Sequence, residues 1–359
     1  MAREEAYASA FDPADPSPLR TTLVACDGGV RAVVVHVSHM AVDHHGLLTL
    51  KREFFTLPAE APGSAGPRLP PVRQPREQVA LERQPQLRRK AEHARRYFRR
   101  VLADAPTSLL STRRPRAHMR ASRAVRLSTA VAGSAPALSR AHGVSVPSVL
   151  LGAVMLLTAA HAESDRVLLR SLFARRHRRP DEAYVAPQSL AALISCGVPR
   201  TARFGVFLRT ARTAALRGYA HTDYDPRELL AEEHRAGQER GVAVDGYCVF
   251  NFMGSGDPTA IRAGSLAKAD RNTPPQPGSG AKSHTASDGV TIPLDMQFIV
   301  GFAAGFDPGA ISVSVTCDDA FLKARAPAFI DQVERLLDHA VAHPAATSDE
   351  VLRAAGLES

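Results

Sequence analysis

The sequence predicts an α/β fold in two layers, because β-branched strand patterns alternate with amphipathic helical patterns along the chain. Its 359 residues are enough for two lobes with separate cores, and its 45% hydrophobic and 23% charged content is ordinary for a globular protein. No apolar stretch reaches about 18 residues without charge, so no membrane span is expected. The N-terminus shows no apolar signal region, and we therefore expect a cytoplasmic protein.

A hairpin followed by a helix is predicted at the start of the chain. Strand patterns over 19–26 and 31–37 are joined by Asp-Gly-Gly at 27–29, a typical hairpin turn. Apolar residues then recur at helical spacing over 46–56, so a helix should follow the second strand. The Pro- and Gly-rich residues 58–76 predict an exposed loop.

A long amphipathic helix is predicted over 77–103, with Pro85 marking an alternative start. The elements expected after it are a strand at 123–129, a short helix, a buried helix at 146–161, a strand at 165–169, helices at 204–219 and 226–238, a strand at 246–252, strands at 291–303 and 310–317, and helices at 321–342 and 347–355. Residues 254–290 are rich in Gly, Ser, Pro, Ala and Lys and predict a flexible loop.

The formal net charge of +9 comes mostly from arginine, concentrated at 88–126 and 166–179. A nucleic-acid surface is one interpretation, but aromatic residues make up only 6% of the chain and are not interleaved with the basic clusters. Nucleic acid is therefore not an expected partner. A docking surface for an acidic protein fits the charge equally well, and a GC-rich genome would also enrich arginine without any functional reason.

Several chemistries lack their sequence signals. The cysteines at 26, 196, 248 and 317 form no CxxC pair, which argues against a zinc ribbon or a redox motif. The sequence contains no GxSxG elbow, no GxxxxGK[ST] phosphate loop and no GxGxxG after a strand. Serine-hydrolase, P-loop and dinucleotide-binding functions are thereby disfavoured.

The residues most indicative of function lie where the second strand ends and a helix begins. The valine-rich strand ends near Ser38, which places His39 on the strand-to-helix turn, four residues ahead of Asp43. Rigid elements often present catalytic side chains on such turns. A lone histidine at a strand end is nonetheless more often structural or solvated than catalytic.

A metal site is a second interpretation of this turn, because five potential ligands lie within ten residues, namely His36, His39, Asp43, His44 and His45. Their HxxHxxxDHH spacing matches neither the HxHxDH clusters of metallohydrolases nor a helix-borne HExxH. His36 and His39 are separated by an odd number of residues, so on an extended strand they face opposite sides. No metal is expected.

Five segments together carry a family resemblance, and they span nearly the whole chain. Ser-His-Met-Ala-Val-Asp-His at 38–44 stands where the condensation domain of nonribosomal peptide synthetases has His-His-x-x-x-Asp-Gly. The other matching segments are the Phe-Asp-Pro and Pro-Leu-Arg entry at 11–20, Gly-Val-Ser-Val-Pro at 143–147, the strand and arginines at 167–176, and the residues 214–225. The chain thus resembles this domain, within the chloramphenicol-acetyltransferase-like superfamily.

The resemblance implies α/β lobes of the two-layer chloramphenicol-acetyltransferase type. Residues 1–120 would be the remainder of the N-terminal lobe, including the Pro-rich loop 58–76, and residues 121–359 the C-terminal lobe, including the flexible loop 254–290. Relatives have several elements before the Phe-Asp segment, so the N-terminal lobe is expected to be incomplete here, either truly or through a late start site.

The resemblance also implies acyl transfer, in which an amine or alcohol attacks the thioester of an acyl or peptidyl carrier protein. His39 would be the base or would position the acceptor, while Asp43 would pair with Arg176 and stabilise the loop together with Ser38. No metal or bound cofactor is expected, because the phosphopantetheine arm arrives on the carrier protein. The chain departs from the family at Ser38, which replaces a histidine, and at His44, which replaces a glycine.

Two alternatives to this function remain open. The first is a transferase that uses coenzyme A thioesters. The second is a catalytically inactive, condensation-like scaffold that recruits a carrier protein or a tailoring enzyme. The altered motif and the expected short N-terminal lobe favour the scaffold more than any other feature of the sequence.

Overall fold

A two-stranded ribbon is the first regular structure of the chain. The computed structural model describes residues 11–12, 17–56, 71–110, 121–176, 183–244, 247–254, 283–284, 298–307, 309–318, 321–322 and 326–357. Strands β1 (Leu19–Cys26) and β2 (Gly29–Val37) pair in antiparallel register. Asp27 and Gly28 between them have φ of +51° and +76°, the left-handed conformation that tight hairpin turns require and that Gly and Asp tolerate. The predicted hairpin is present.

Helix α1 (His44–Thr56) follows the ribbon, and the long helix predicted over 77–103 is in fact two. Helix α2 (Pro75–Glu82) ends before Pro85, and α3 (Pro85–Ala103) begins there. The reason is that proline has no N–H to donate to the preceding turn and its ring clashes with that turn, whereas the first position of a helix accepts it. Of the predicted loop 58–76, residues 58–70 lie outside the described part of the chain, and 75–76 belong to α2.

The remaining elements include every predicted helix and strand in order, together with two strands that the patterns did not predict, at 189–197 and 283–284. After a 3₁₀ turn at Thr107–Leu109, they are β3 (Ala121–Ser128), α4 (Thr129–His142), α5 (Val146–His161), β4 (Arg166–Ala174), β5 (Ser189–Gly197), α6 (Phe204–Tyr219), α7 (Pro226–Arg240), β6 (Cys248–Met253), β7 (Ser283–His284), β8 (Phe298–Asp307), β9 (Ala310–Asp318), α8 (Ala326–Ala342) and α9 (Ser348–Ala354). The α/β class is confirmed.

Seven of these strands form a mixed sheet in the order β5-β4-β6-β8-β9-β3-β7. β6 runs parallel to both β4 and β8, whereas β8, β9 and β3 pair in antiparallel fashion. β7 lies inside the predicted flexible loop 254–290, and the rest of that loop beyond residue 254 lies outside the described residues. So do residues 291–297 of the strand predicted at 291–303.

The core of the sheet layer is organised around α5. Thirteen of its 16 residues are buried, which explains why the sequence is apolar on every side of this helix. Helix α8 packs against α4, β3 and β9. At the border of that contact Arg126 lies 2.6 Å from Asp331 and 2.8 Å from Glu334.

The chain divides into two compact units, each built from separate stretches. Unit 1 comprises residues 1–84 and 174–190, and unit 2 comprises 85–173 and 191–359. The boundary predicted at residue 120 falls inside unit 2. Whether the two units correspond to the two lobes that the resemblance implies stays a prediction.

Membrane-spanning potential was assessed for the described part of the chain. No single helix there is both long and apolar enough to cross a bilayer. The adjoining helices α4 and α5 pass the test of length and composition only as a pair, and they meet at a bend of 103°.

Candidate active site

The turn that carries His39 lies in unit 1, between the end of β2 and the start of α1. The Ser38 N–H donates to the Pro18 carbonyl at 2.8 Å, which fixes the chain as it leaves the ribbon. The Ala41 N–H donates to the Ser38 carbonyl at 3.0 Å and closes the turn. The predicted strand-to-helix position of His39 is therefore present in the structure.

The imidazole of His39 is exposed, and one of its nitrogens is held by the backbone. Its Nδ1 lies 2.7 Å from the Val42 carbonyl oxygen. Because a carbonyl oxygen can only accept, Nδ1 carries the hydrogen and Nε2 carries the lone pair in the neutral ring. The turn thus selects the tautomer in which Nε2 can take a proton from a substrate.

Asp43 is buried at the N-terminus of α1 and accepts four hydrogen bonds. Its Oδ1 accepts from the Gly46 N–H at 2.8 Å, which caps the helix, and from Nη2 of Arg176 at 2.7 Å. Its Oδ2 accepts from the Gln188 N–H at 2.9 Å and from Oγ of Ser189 at 3.2 Å. Each of the two carboxylate oxygens thus accepts two hydrogen bonds, as a buried charged group requires.

The electrostatics of Asp43 favour its ionised form. Burial by itself would raise the pKa of this carboxyl, but the hydrogen bond from the Gly46 N–H, the bond and charge of Arg176 and the bond from the Gln188 N–H outweigh it. The pKa of Asp43 is therefore lower than that of an ordinary aspartate. Asp43 stays charged at neutral pH and is suited to structural support rather than to proton transfer.

Arg176 connects Asp43 to a distant stretch of the chain. The side chains of Arg176 and Asp43 are only 5% and 2% exposed, so the pair is a buried one. Arg176 also donates from Nη1 to the Tyr184 carbonyl at 2.6 Å and from Nη2 to the Ala186 carbonyl at 3.1 Å. The guanidinium thereby joins the helix that follows His39 to the segment 183–190.

The other candidate residues of this turn contact mainly their neighbours in the sequence. Oγ of Ser38 accepts from the Met40 N–H at 3.4 Å, within the same turn. The rings of His44 and His45 lie edge to face with centroids 5.8 Å apart. Burial and the charge of Arg176 lower the pKa of His45, which favours the neutral ring. Among the described residues, no three His, Cys, Asp or Glu side chains are arranged to hold a metal ion.

The structure adds partners that the sequence did not indicate. Gln188, directly before β5, and Ser189, its first residue, donate to Asp43, and the sequence patterns did not predict this strand. The sequence analysis did not single out Gly46 either. A Cβ at this position would lie 2.5 Å from Cγ2 of Val42. A small residue is needed at this point of α1, and the only sequence signal is the glycine itself, three residues after the aspartate.

Comparisons with known proteins identify the fold but not a sequence family. No protein-family model matches the sequence, and no curated protein matches it. Solved structures match nearly the whole chain. The condensation domain of the monacolin K polyketide synthase MokA superposes with a TM-score of 0.69 at 14% identity, covering 97% of this chain and 78% of its own.

Two further solved structures show the same similarity. The first condensation domain of the CDA synthetase superposes with a TM-score of 0.65 at 16% identity, over 97% of this chain and 72% of its own. The X-domain from teicoplanin biosynthesis, solved in complex with OxyB, superposes with a TM-score of 0.66 at 14% identity, over 98% and 76%. The chain therefore has the fold of condensation domains.

Proposed function

We propose, on the premise of the condensation-domain fold, that this protein is an acyltransferase that joins the acyl group of a carrier-protein thioester to an amine or alcohol. The observation that carries the proposal is the bond from Nδ1 of His39 to the Val42 carbonyl. It leaves Nε2, on an exposed ring, as the proton acceptor. The acyl group would be delivered on the phosphopantetheine arm of the carrier protein, so the chain needs no bound cofactor of its own.

In the proposed reaction, Nε2 of His39 removes a proton as the acceptor nitrogen or oxygen attacks the thioester carbonyl. A C–N or C–O bond forms, and the tetrahedral intermediate collapses with cleavage of the C–S bond. The imidazolium then returns the proton to the departing sulfur, so the ring is neutral again after each turnover. A histidine is suited to both transfers because its ordinary pKa lies near neutral pH.

Asp43 and Arg176 are proposed as positioning residues for this histidine. The carbonyl that orients His39 belongs to Val42, the residue directly before Asp43. Anchoring Asp43 through four hydrogen bonds therefore fixes the carbonyl and, through it, the ring. Ser38 is proposed to support the other end of the same turn.

The test is turnover of an acyl-loaded carrier protein with a panel of amines and alcohols. We expect His39→Ala to lower the rate by about 10²- to 10⁴-fold, the usual contribution of a general base. Its thermal stability should stay unchanged because the ring is exposed. His93→Ala is a matched control, since His93 is exposed on α3. Equal turnover by wild type and His39→Ala would exclude His39 as the base.

A scaffold is the second candidate function, and the comparison with the X-domain favours it. That domain was solved in complex with OxyB, and its TM-score of 0.66 against this chain lies between those of the two condensation domains, 0.65 and 0.69. Carrier-protein binding that persists without turnover, across the whole acceptor panel, would support the scaffold. Acyl-coenzyme A run in parallel tests the remaining alternative, because a coenzyme A-dependent enzyme would use it at least as well as the loaded carrier protein.

A further inference from the structure

The exposed face of helix α6, in unit 2, combines positive charge with apolar side chains. Its outward residues are Val206, Arg209, Thr210, Arg212, Thr213, Leu216 and Arg217. At 100° per residue they cover an arc of about 160°, nearly half of the helix surface. The helix contains no aspartate or glutamate. We refer to these seven residues as the α6 face.

The arginines of the α6 face differ in their pairing from some of the basic residues of α3. On α3, Lys90 lies 2.7 Å from Asp223 and Arg99 lies 2.8 Å from Glu232, whereas Arg88, Arg89 and Arg96 form no ion pair within the described part of the chain. The arginines of the α6 face form no ion pair among the described residues. Their charge remains available to another molecule.

The apolar residues of the α6 face are exposed. Val206 is 43% exposed and Leu216 is 56% exposed, although both lie on a well-formed helix. Beside Leu216 is a groove with a cavity volume of about 310 Å³. Arg212 and Tyr219 of α6 line it on one side, and Ser145 at the start of α5 lines it on another. A partner could place an apolar side chain on Leu216 and a polar group against this rim.

We propose that the α6 face is the docking surface for an acidic protein, and, resting on the proposed function, that this protein is the carrier protein. Carboxylates on the partner would pair with Arg209, Arg212 and Arg217, which steers association and sets the orientation. Apolar residues of the partner would cover Val206 and Leu216. Nucleic acid fits less well, because phosphate recognition needs no exposed valine or leucine and the face has no aromatic residue on which bases could stack.

The test compares two charge-reversal variants of equal composition. Arg209→Glu/Arg212→Glu/Arg217→Glu alters the α6 face. Arg88→Glu/Arg89→Glu/Arg96→Glu alters three exposed arginines of α3 and changes the net charge by the same amount. Affinity for a panel of holo carrier proteins is measured by calorimetry at two salt concentrations, with circular dichroism to confirm that each variant is folded. A duplex DNA of 20 base pairs serves as the competing ligand.

We expect the α6 variant to bind the carrier protein at least tenfold more weakly than wild type, and the α3 variant to bind within twofold. The affinity of wild type should fall as salt rises. Equal losses in both variants would overturn the proposal, because they would indicate non-specific attraction by net charge. It would also be overturned if no carrier protein bound wild type, or if the α6 face bound only the DNA.

A small acyl thioester distinguishes this proposal from the proposed function. Acyl-N-acetylcysteamine carries the reactive thioester but no protein surface, so its turnover does not depend on docking. The α6 variant should use it as fast as wild type does. If the α6 variant loses turnover of the acyl carrier protein but keeps turnover of acyl-N-acetylcysteamine, the substitutions impair docking and not the chemical step. Absence of turnover with either donor contradicts the proposed function, and the binding data still decide the docking surface.

Discussion

Removing both partners of the buried Asp43–Arg176 pair should cost less than the sum of the costs of removing each one alone. Asp43→Ala leaves a guanidinium whose side chain is only 5% exposed without its counter-charge. It also leaves the N–H groups of Gly46 and Gln188 without their acceptor. A broken buried pair costs about 3 to 5 kcal/mol, and the lost helix cap places this variant near the upper end, at about 5 kcal/mol.

Arg176→Met should be milder, because the carboxylate keeps three of its four donors. The N–H groups of Gly46 and Gln188 and the hydroxyl of Ser189 still stabilise its charge. We expect about 3 kcal/mol for this variant, at the lower end of the same range. The double variant holds no buried charge at this site, so its cost should be about 2 kcal/mol or more below the sum of the two single costs.

The free energy of unfolding is measured by urea denaturation. Circular dichroism in the far ultraviolet follows the transition, because the chain has no tryptophan whose fluorescence could report it. Hydrogen exchange of peptides covering 44–56 and 183–190 shows whether the loss of stability occurs in unit 1. His39→Ala is the control at the same turn and should change the free energy by less than about 0.5 kcal/mol. If Asp43→Ala costs under about 1 kcal/mol of unfolding free energy, or if the costs of the two single substitutions simply add in the double variant, the buried pair does not stabilise the turn.

Two further predictions concern the same turn. Because the folded state lowers the pKa of Asp43, its ionisation contributes stability at neutral pH that is lost as pH falls from about 4 through the folded pKa. Urea titrations at pH 7 and pH 3 should therefore show a larger acid-induced loss in wild type than in Asp43→Asn, and equal losses would contradict the lowered pKa. Gly46→Ala places a Cβ 2.5 Å from Cγ2 of Val42, so it should lower the free energy of unfolding, measured by thermal denaturation, by about 1 to 3 kcal/mol. The control Gly133→Ala points into open space on α4 and should stabilise by about 0.5 to 1 kcal/mol, and a similar effect of both substitutions would remove the steric argument.

Local patterns predicted the elements whose cause is local. The ribbon of β1 and β2 follows from the left-handed turn at Asp27 and Gly28, and α5 follows from a run that is apolar on every side. The division between α2 and α3 also has a local cause, Pro85, although the patterns predicted one helix over 77–103 with Pro85 as an alternative start. In each case a neighbouring residue in the sequence supplies the physical reason.

The support of the candidate site was only partly predictable, because it depends on contacts between distant residues. The pairing of Asp43 with Arg176 was expected from a family resemblance and not from any local pattern. The donors Gln188 and Ser189 were not expected, since they lie 145 and 146 residues from the aspartate. Ser189 begins β5, and Gln188 directly precedes it; the Ala- and Ser-containing sequence of this strand lacks the alternation that marks a half-buried strand.

The division of unit 1 into two stretches has a consequence for the newly made protein. Asp43 emerges from the ribosome 133 residues before Arg176, and at about 5 to 20 residues per second that interval lasts roughly 7 to 27 seconds. Until then the aspartate lacks its counter-charge, and residues 1–84 lack the stretch 174–190 that belongs to the same unit. The His39 turn should thus mature only after the chain through β4 and Arg176 has been translated. A nascent chain that stalls before residue 176 would expose an unfinished turn to proteases.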